Sequence, residues 1–379
     1  MIALARKTLV YEWRRFLPVV LAMCFAGVLL IVQAALVLGI FGTAAIYVKA
    51  SSADVWAGFA GTQSVNYGHA ISADVENRLR MDPDVTRVEP YEWVDGEWRS
   101  STQGAGNVSV YLSGISTAGD AMMFSRILSP DLRARLREPG AVIVDSADLD
   151  TLGVDLHRNR AWINGKAVRV VAAQPGLRGL GGVNVLASLD TARAIAGTDP
   201  HEGSTYFVAG TRSPELAARV RDRLGASTGR ATPVEFWTAP EFASRSQQYW
   251  LFDTGAGIAV LFMAVIVCFV GAVITNQSFA AVVAGSVREY ATLNALGAGR
   301  YALARVVFEQ AVLIGGVGML LAAAFSAVVL MAAQTQRVPV QLTPTVVLGC
   351  VALVAVMAML SSIMAVRSVV RSDPSLLLR

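Results

Sequence analysis

The sequence predicts an α-helical integral membrane protein: four transmembrane helices, with a large extracytoplasmic α+β domain inserted between helices 1 and 2. Two observations carry that expectation. The chain of 379 residues is 54% hydrophobic and only 16% charged, too apolar for an ordinary soluble protein. The apolar excess is also unevenly spread. It lies in four runs, each able to supply the roughly 20 helical residues that cross a hydrocarbon core. Between the first two runs lie about 200 residues of mixed, globular character, enough for one or two compact domains.

Taken in order, residues 1–16 form an amphipathic N-terminal segment with Arg6, Lys7, Arg14 and Arg15. Residues 17–48, "LPVVLAMCFAGVLLIVQAALVLGIFGTAAIYV", form span 1. The run is too long for the apolar core of a secretory signal and shows no convincing cleavage site, so it is expected to be retained. Residues 49–248 form the α+β domain. In "ISADVENRLRMDPDV" a helix is expected, capped by Ser72, with Val75, Leu79 and Met81 on its apolar side and Pro83 ending it. "NVSVYLSGI" alternates like a strand, and "GAVIVDSADLDTLGV" reads as strand then helix. "RAWINGKAVRVVAA" reads as a hairpin turning at Asn164-Gly165. "SPELAARVRDRLG" reads as a helix closed by Gly225. Residues 249–379 hold the other three spans. The second begins near Gly255 with "IAVLFMAVIVCFVGAVIT", the third is "VVFEQAVLIGGVGMLLAAAFSAVVLMAA" and the fourth "TVVLGCVALVAVMAMLSSIMAV".

Arginine placement sets the orientation. Basic residues precede span 1; Arg288, Arg300 and Arg305 lie between spans 2 and 3; and Arg367, Arg371 and Arg379 follow span 4. The connection "QTQRVPVQLTP" has only Arg337. Both termini and the 288–300 insert are therefore expected in the cytoplasm, with 49–248 outside. The aromatic run from Tyr249 to Phe252 then marks the outer interface of span 2.

Several chemistries are excluded. The net charge of +4 comes almost wholly from scattered arginines, with Lys7, Lys49 and Lys166 the lysines, so no nucleic-acid surface is expected. Cys24, Cys268 and Cys350 each sit in an apolar run and behave as small hydrophobes, not a disulfide framework. Gly165-Lys166 is followed by Ala167, which removes the Ser or Thr a P-loop needs. His69, His157 and His201 are far apart. His201 with Glu202 is weighed as a metal pair, and a polar turn is favoured. With no nucleophile elbow and no cysteine beside a base, no catalytic, cofactor or metal residue is assigned. The stretch "GLRGLGG", residues 176–182, reads as a mobile loop.

Polar and small residues within the spans are more informative. Gln33 lies midway along span 1 and Glu309 near the start of span 3, where such groups are costly unless they face a partner or water. For Glu309, a hydrated or arginine-paired carboxylate near the cytoplasmic interface is favoured over a proton relay. Gly318, Ala322 and Ser326 form a small-residue stripe at i, i+4 and i+8, which suits close helix packing within the subunit or across a dimer. The insert "REYATLNALGAGR" predicts a short amphipathic helix over 288–297. Tyr290, Leu293 and Leu296 lie on one side, Gly297 suits its left-handed end, and Gly299 lets the chain turn before Arg300. Its apolar side has no membrane depth to fill, so a soluble partner is the expected receiver, with a lipid-lying helix as the alternative.

These residues also carry a resemblance. "REYATLNALGAGRYALARVVFEQA" is similar to the hallmark of FtsX-like permease domains, and the tail "RSVVRSDPSLLLR" resembles that family's closing element. The order of one span, an external domain and three spans resembles MacB-type permeases. Val32-Gln33 and Ala53-Asp54-Val55-Trp56 are similar to the DevC subfamily. The resemblance implies an ABC exporter subunit with a coupling helix formed by Arg288, Glu289, Tyr290, Leu293, Ala295, Leu296, Gly297 and Arg300. Two copies of a separate ATPase would bind ATP and Mg²⁺. A second permease copy, a periplasmic adaptor and an outer-membrane channel would complete the assembly in a bacterial inner membrane. A lipid, glycolipid or other hydrophobic cargo is implied. An FtsX-like regulator of a cell-wall hydrolase, and a haem or peptide exporter, remain as alternatives.

Overall fold

Val55-Trp56-Ala57 shows how this chain builds its sheet. All three are buried, with the odd and even positions sent to opposite faces by the two-residue period of a strand. The computed structural model describes residues 11, 13–101, 107–155, 159–199, 202–227, 233–285, 300–336 and 338–371. It separates into two compact units, one of Met1–Gly39 with Gly257–Arg379 and one of Ile40–Ala256.

In the second unit, β1 (Val55–Phe59), α3 (Asp74–Met81) and β2 (Val85–Ser100) make one β-α-β element. β8 (Tyr206–Thr211), α7 (Ala217–Ser227) and β9 (Val234–Thr238) make a second. Their strands lie side by side in the order β2-β8-β1-β9, each pair antiparallel. This is the split β-α-β arrangement. One sheet face is covered by α3 and α7 through Val75, Leu79, Val220 and Leu224, which pack on Val55, Ala57, Val88 and Phe207.

The connection between β2 and β8 has grown into a second body. Its strands are β3 (Val108–Ile115), β4 (Ala141–Val144), β5 (Arg160–Ile163), β6 (Lys166–Ala173) and β7 (Val183–Ser188). The far half of β2 pairs with β3 through Glu92–Trp98 and with β5 through Trp98–Ser100. β3 pairs with β7, β7 with β4, β4 with β6, and β6 with β5. The ring closes into a six-stranded barrel without a free edge, which removes the usual site of edge-to-edge association. Its core is Trp98 with Val110, Leu112, Val142, Val170 and Val185, and the Trp98 indole donates to the Leu152 carbonyl at 3.0 Å.

The expected strands over "NVSVYLSGI" and "GAVIV" are present, and the β5–β6 hairpin turns at Asn164 (φ 51°) and Gly165 (φ 77°), as two left-handed positions require. Three details differ. The first residue of α3 is preceded by Ala73, and Ser72 makes no capping hydrogen bond there. Met81 is 83% exposed, because the helix stops at that residue and Asp82 is already extended before Pro83. Helix α7 passes through Gly225 to Ser227 instead of ending at it.

Helix α1 (Trp13–Gly42) runs from the first unit into the second and is continued by a 3₁₀ turn and α2 (Ile46–Lys49). The first unit also holds α9 (Ala256–Gly285), α10 (Arg300–Thr335) and α11 (Pro344–Arg371). Among the described residues three stretches are long and apolar enough to cross a membrane: Phe16–Lys49, Ala256–Ile274 and Phe308–Thr335. A shorter apolar helical stretch covers Pro344–Val356.

Candidate functional site

The insert read as a coupling helix lies outside the described residues. Arg288, Glu289, Tyr290, Leu293, Ala295, Leu296 and Gly297 therefore have no structural account, and Arg300 is the first residue of α10. His157 and His201 also lie outside. Among the described residues no three metal-ligating side chains come together.

The small-residue stripe is described, and it faces inward. Gly318, Ala322 and Ser326 are all buried, Ala322 fully. A Cβ added at Gly318 would lie 2.9 Å from Cβ of Met23 and 3.3 Å from the Val20 carbonyl oxygen. One added at Gly27 would lie 2.7 Å from Cβ of Ala322. Helices α1 and α10 thus cross at backbone-to-backbone range, which small residues alone permit. Of the two receivers left open by the sequence, the stripe meets one in its own chain. Farther along, Ile31 and Ala35 of α1 pack with Leu330 of α10. The Gln341 N–H donates to the Ala35 carbonyl at 3.1 Å, tying the α10–α11 connection to α1.

Gln33 has a partner in keeping with its position. Its Nε2 donates to the Val260 carbonyl of α9 at 3.1 Å, an interhelical bond of the kind that holds polar side chains in membrane helices. Glu309 is half-buried and Gln310 buried at the start of the apolar stretch of α10.

A second site lies within the Ile40–Ala256 unit. Helix α8 (Ala239–Gln248) leads through one π-helical turn, Tyr249–Asp253, towards α9. It starts with a capping box: the Glu241 N–H donates to the Thr238 hydroxyl at 3.4 Å, the Glu241 carboxylate accepts from the Thr238 N–H at 2.9 Å, and Pro240 opens the first turn. The helix seats Phe242 against the sheet face opposite α3 and α7. Phe242 is fully buried. Its ring stacks on Trp237 at 4.6 Å and meets Trp56 and Tyr206 at 5.5 and 5.8 Å. Tyr47 and Val48 of α2 belong to the same core. Both chain segments that join the two units thus end on one aromatic face. The signal for α8 was in the sequence, Thr238-x-x-Glu241 with Pro240, and was missed. The aromatic seat had no local signal, because Trp56 and Phe242 are remote in the chain.

The Asp-x-Trp element is explained by this seat. Asp54 Oδ2 accepts from the Thr211 N–H and hydroxyl at 2.8 and 2.9 Å, and its backbone carbonyl accepts from the Ala239 N–H at 2.8 Å. It fixes the ends of β8 and α8 to the start of β1, while Trp56 fills the seat.

The glycine-rich stretch is a packed strap, which corrects the expectation of a mobile loop. The Leu177 N–H donates to Asp145 Oδ2 at 2.7 Å, and the Leu180 carbonyl accepts from Asn66 Nδ2 at 2.8 Å. A Cβ at Gly179 would come within 2.4 Å of the Tyr47 hydroxyl, and one at Gly182 within 2.9 Å of the Tyr111 ring. The glycines are there for close approach to those rings.

Residues 261–374 match the family model described as FtsX-like permease C-terminal. These residues thus carry an FtsX-like permease C-terminal domain. The chain is a multi-pass membrane protein. The comparison with curated proteins found no match. Among solved structures, the chain is similar to the extracellular domain of the noncanonic ABC-type transporter YknZ from Gram-positive bacteria. The identity is 12% and the TM-score 0.33, over 49% of this chain and 100% of that one. It is also similar to the periplasmic region of MacB from Actinobacillus actinomycetemcomitans, at 10% identity and a TM-score of 0.33, over 52% of this chain and 94% of that one. A domain of a putative permease from Porphyromonas gingivalis gives 12% and 0.30, over 49% and 86%. Scores this low set no fold for the Ile40–Ala256 unit, whose architecture rests on its own strand pairing.

Proposed function

We propose that this FtsX-like permease is the membrane subunit of a MacB- or DevC-type ABC exporter. It couples ATP hydrolysis by a separate ATPase to export of a lipid, glycolipid or other hydrophobic substrate. The observation that carries the reading is the family match over 261–374, joined to the aromatic seat on which α2 and α8 both end. In this reading four helices span the membrane, residues 49–248 stand outside, and the 288–297 segment docks on the ATPase. Two permeases pair, and closure of two ATPase subunits pulls on the spans. The movement reaches the external domain through α2 and α8, and an adaptor with an outer-membrane channel completes the route.

Leu293→Asp tests the central step. A charge placed in a desolvated apolar contact costs several kcal/mol unless the interface opens to water. The variant is expected at normal abundance in the membrane, with co-purification of the ATPase lost and export absent. ATPase binding and export at the unmodified level would overturn the coupling role of the insert. If ATPase binding depends on Leu293 but no cargo moves and a cell-wall hydrolase responds instead, the subunit is a regulator.

A further inference from the structure

Among the described residues of the Ile40–Ala256 unit, the exposed large apolar side chains are Ile40, Tyr67, Met81, Trp162 and Phe252. Two of them adjoin membrane-crossing stretches. Ile40 lies inside Phe16–Lys49, and Phe252 comes just before Ala256–Ile274. Tyr67 is far from Phe252 in the chain, yet it joins the same turn. Its ring meets Tyr249 edge-on at 5.4 Å and stacks on Trp250 at 6.0 Å.

The loop after β1 holds that ring outward on a fixed backbone. The Trp250 indole donates to the Ser64 hydroxyl at 3.1 Å, and the Tyr206 hydroxyl donates to the Val65 carbonyl at 2.9 Å. Asn66 Nδ2 donates to the Leu180 carbonyl at 2.8 Å. A Cβ at Gly68 would lie 2.3 Å from the Tyr206 hydroxyl, so the chain lies flat on that residue. Val65 and Asn66 are buried, whereas Tyr67 is 47% exposed and His69 is exposed beyond it. An aromatic side chain left outside by so well-anchored a loop contributes only part of its surface to the core.

Chain connectivity says what covers the rest. Phe252 is four residues before Ala256, and that length of chain reaches at most about 14 Å. The aromatic group is therefore tied close to the point where α9 enters the membrane. Tyrosine and tryptophan, with apolar rings and polar tips, concentrate in the headgroup layer. Asp253 is exposed between Phe252 and α9, which hydrated headgroups tolerate and hydrocarbon does not. Met81 and Trp162 have no such tie to a spanning helix, and single exposed apolar residues of that kind are ordinary. We propose that residues 61–69 form a membrane-contact element, with Tyr67, beside Tyr249 and Trp250, seated in the phospholipid headgroup layer where α9 enters. This rests on α9 crossing the membrane and not on export.

The test uses the full chain in nanodiscs of phosphatidylglycerol and phosphatidylethanolamine that include a phospholipid with a benzophenone beside its headgroup. After irradiation, lipid adducts are mapped by mass spectrometry. Adducts are expected within residues 61–69 and at Tyr249–Asp253, several-fold more abundant than within residues 160–169, which carry the comparably exposed Trp162. Tyr67→Ser should lower the yield several-fold at the other residues of the loop, and Tyr67→Phe should keep most of it. Adducts at Phe252 should persist in both variants, which reports that each has folded. Labelling of residues 61–69 no higher than that of residues 160–169, as a protein partner over Tyr67 would give, would overturn the proposal. So would a yield in the loop that Tyr67→Ser leaves unchanged.

Discussion

Gly316 and Gly318 lie two residues apart in α10 and differ in one respect. A Cβ at Gly316 would meet nothing within 4 Å, whereas one at Gly318 would meet Met23 at 2.9 Å and the Val20 carbonyl at 3.3 Å. Alanine at either position lowers the backbone freedom of the unfolded chain to the same degree, so that contribution cancels between the two variants. What remains is steric. The atom opposing Gly318 is a Cβ, fixed to its own backbone, so the helices themselves must separate. Overpacking of this kind costs about 1–3 kcal/mol. At about 2–4 °C per kcal/mol for a body of this size, Gly318→Ala should melt roughly 2–12 °C below Gly316→Ala. The assay is thermal unfolding of the detergent-purified chain followed by helix-weighted circular dichroism, since most tryptophans report on the other unit. Melting points within about 1 °C of each other would refute the α1–α10 crossing and turn the stripe outward, towards a second copy.

Phe242→Ala removes a fully buried ring stacked on Trp237 at 4.6 Å. It should destabilise the Ile40–Ala256 unit by about 3–5 kcal/mol, read by near-ultraviolet circular dichroism; a loss below about 1 kcal/mol would mean that the seat repacks. Glu89 is buried, and desolvation raises its pKa despite the Met122 N–H at 2.9 Å and Arg87 at 2.7 Å. The folded state then holds this proton more tightly than the unfolded chain does. Its contribution to stability therefore falls as pH rises from the ordinary glutamate range through the raised value. Glu89→Gln should flatten that slope in denaturant titrations at stepped pH, and an unchanged slope would assign the titration elsewhere.

How much of this was legible depends on the range of each interaction. Spans are set by length and apolarity, so three of the four runs reappear as stretches able to cross a membrane, with α11 holding the fourth. The hairpin at Asn164-Gly165 was legible because its two left-handed positions are chemically demanding. The stripe on α10 was legible as a pattern, but its receiver, Gly27 with Met23, lies some 300 residues away and has no local mark. The "GLRGLGG" stretch was misread for the same reason. Its glycines answer to Tyr47 and Tyr111, one far upstream and one on β3. Barrel closure was out of reach, because it depends on one long strand serving two sheets.

That strand also decides how movement can pass through the folded unit. Up to Tyr91, β2 is an edge strand of the split sheet, paired with β8; from Glu92 it belongs to the barrel. α2 and α8 press on the sheet face through Tyr47 and Phe242, and neither is a barrel element. A displacement of α8 therefore has two routes to the barrel. One runs along β2, which is rigid because both of its edges are paired at Trp98. The other is the glycine strap, anchored by Asp145 and Asp148 on one side and by Asn66 on the other. Asn66→Ala removes the strap's anchor at Leu180. Hydrogen exchange at Leu177 and Leu180 should therefore quicken in that variant, while the barrel-core amides of Val110 and Leu112 should not change. Equal quickening throughout the barrel would mean that the substitution acts on global stability and not on this junction.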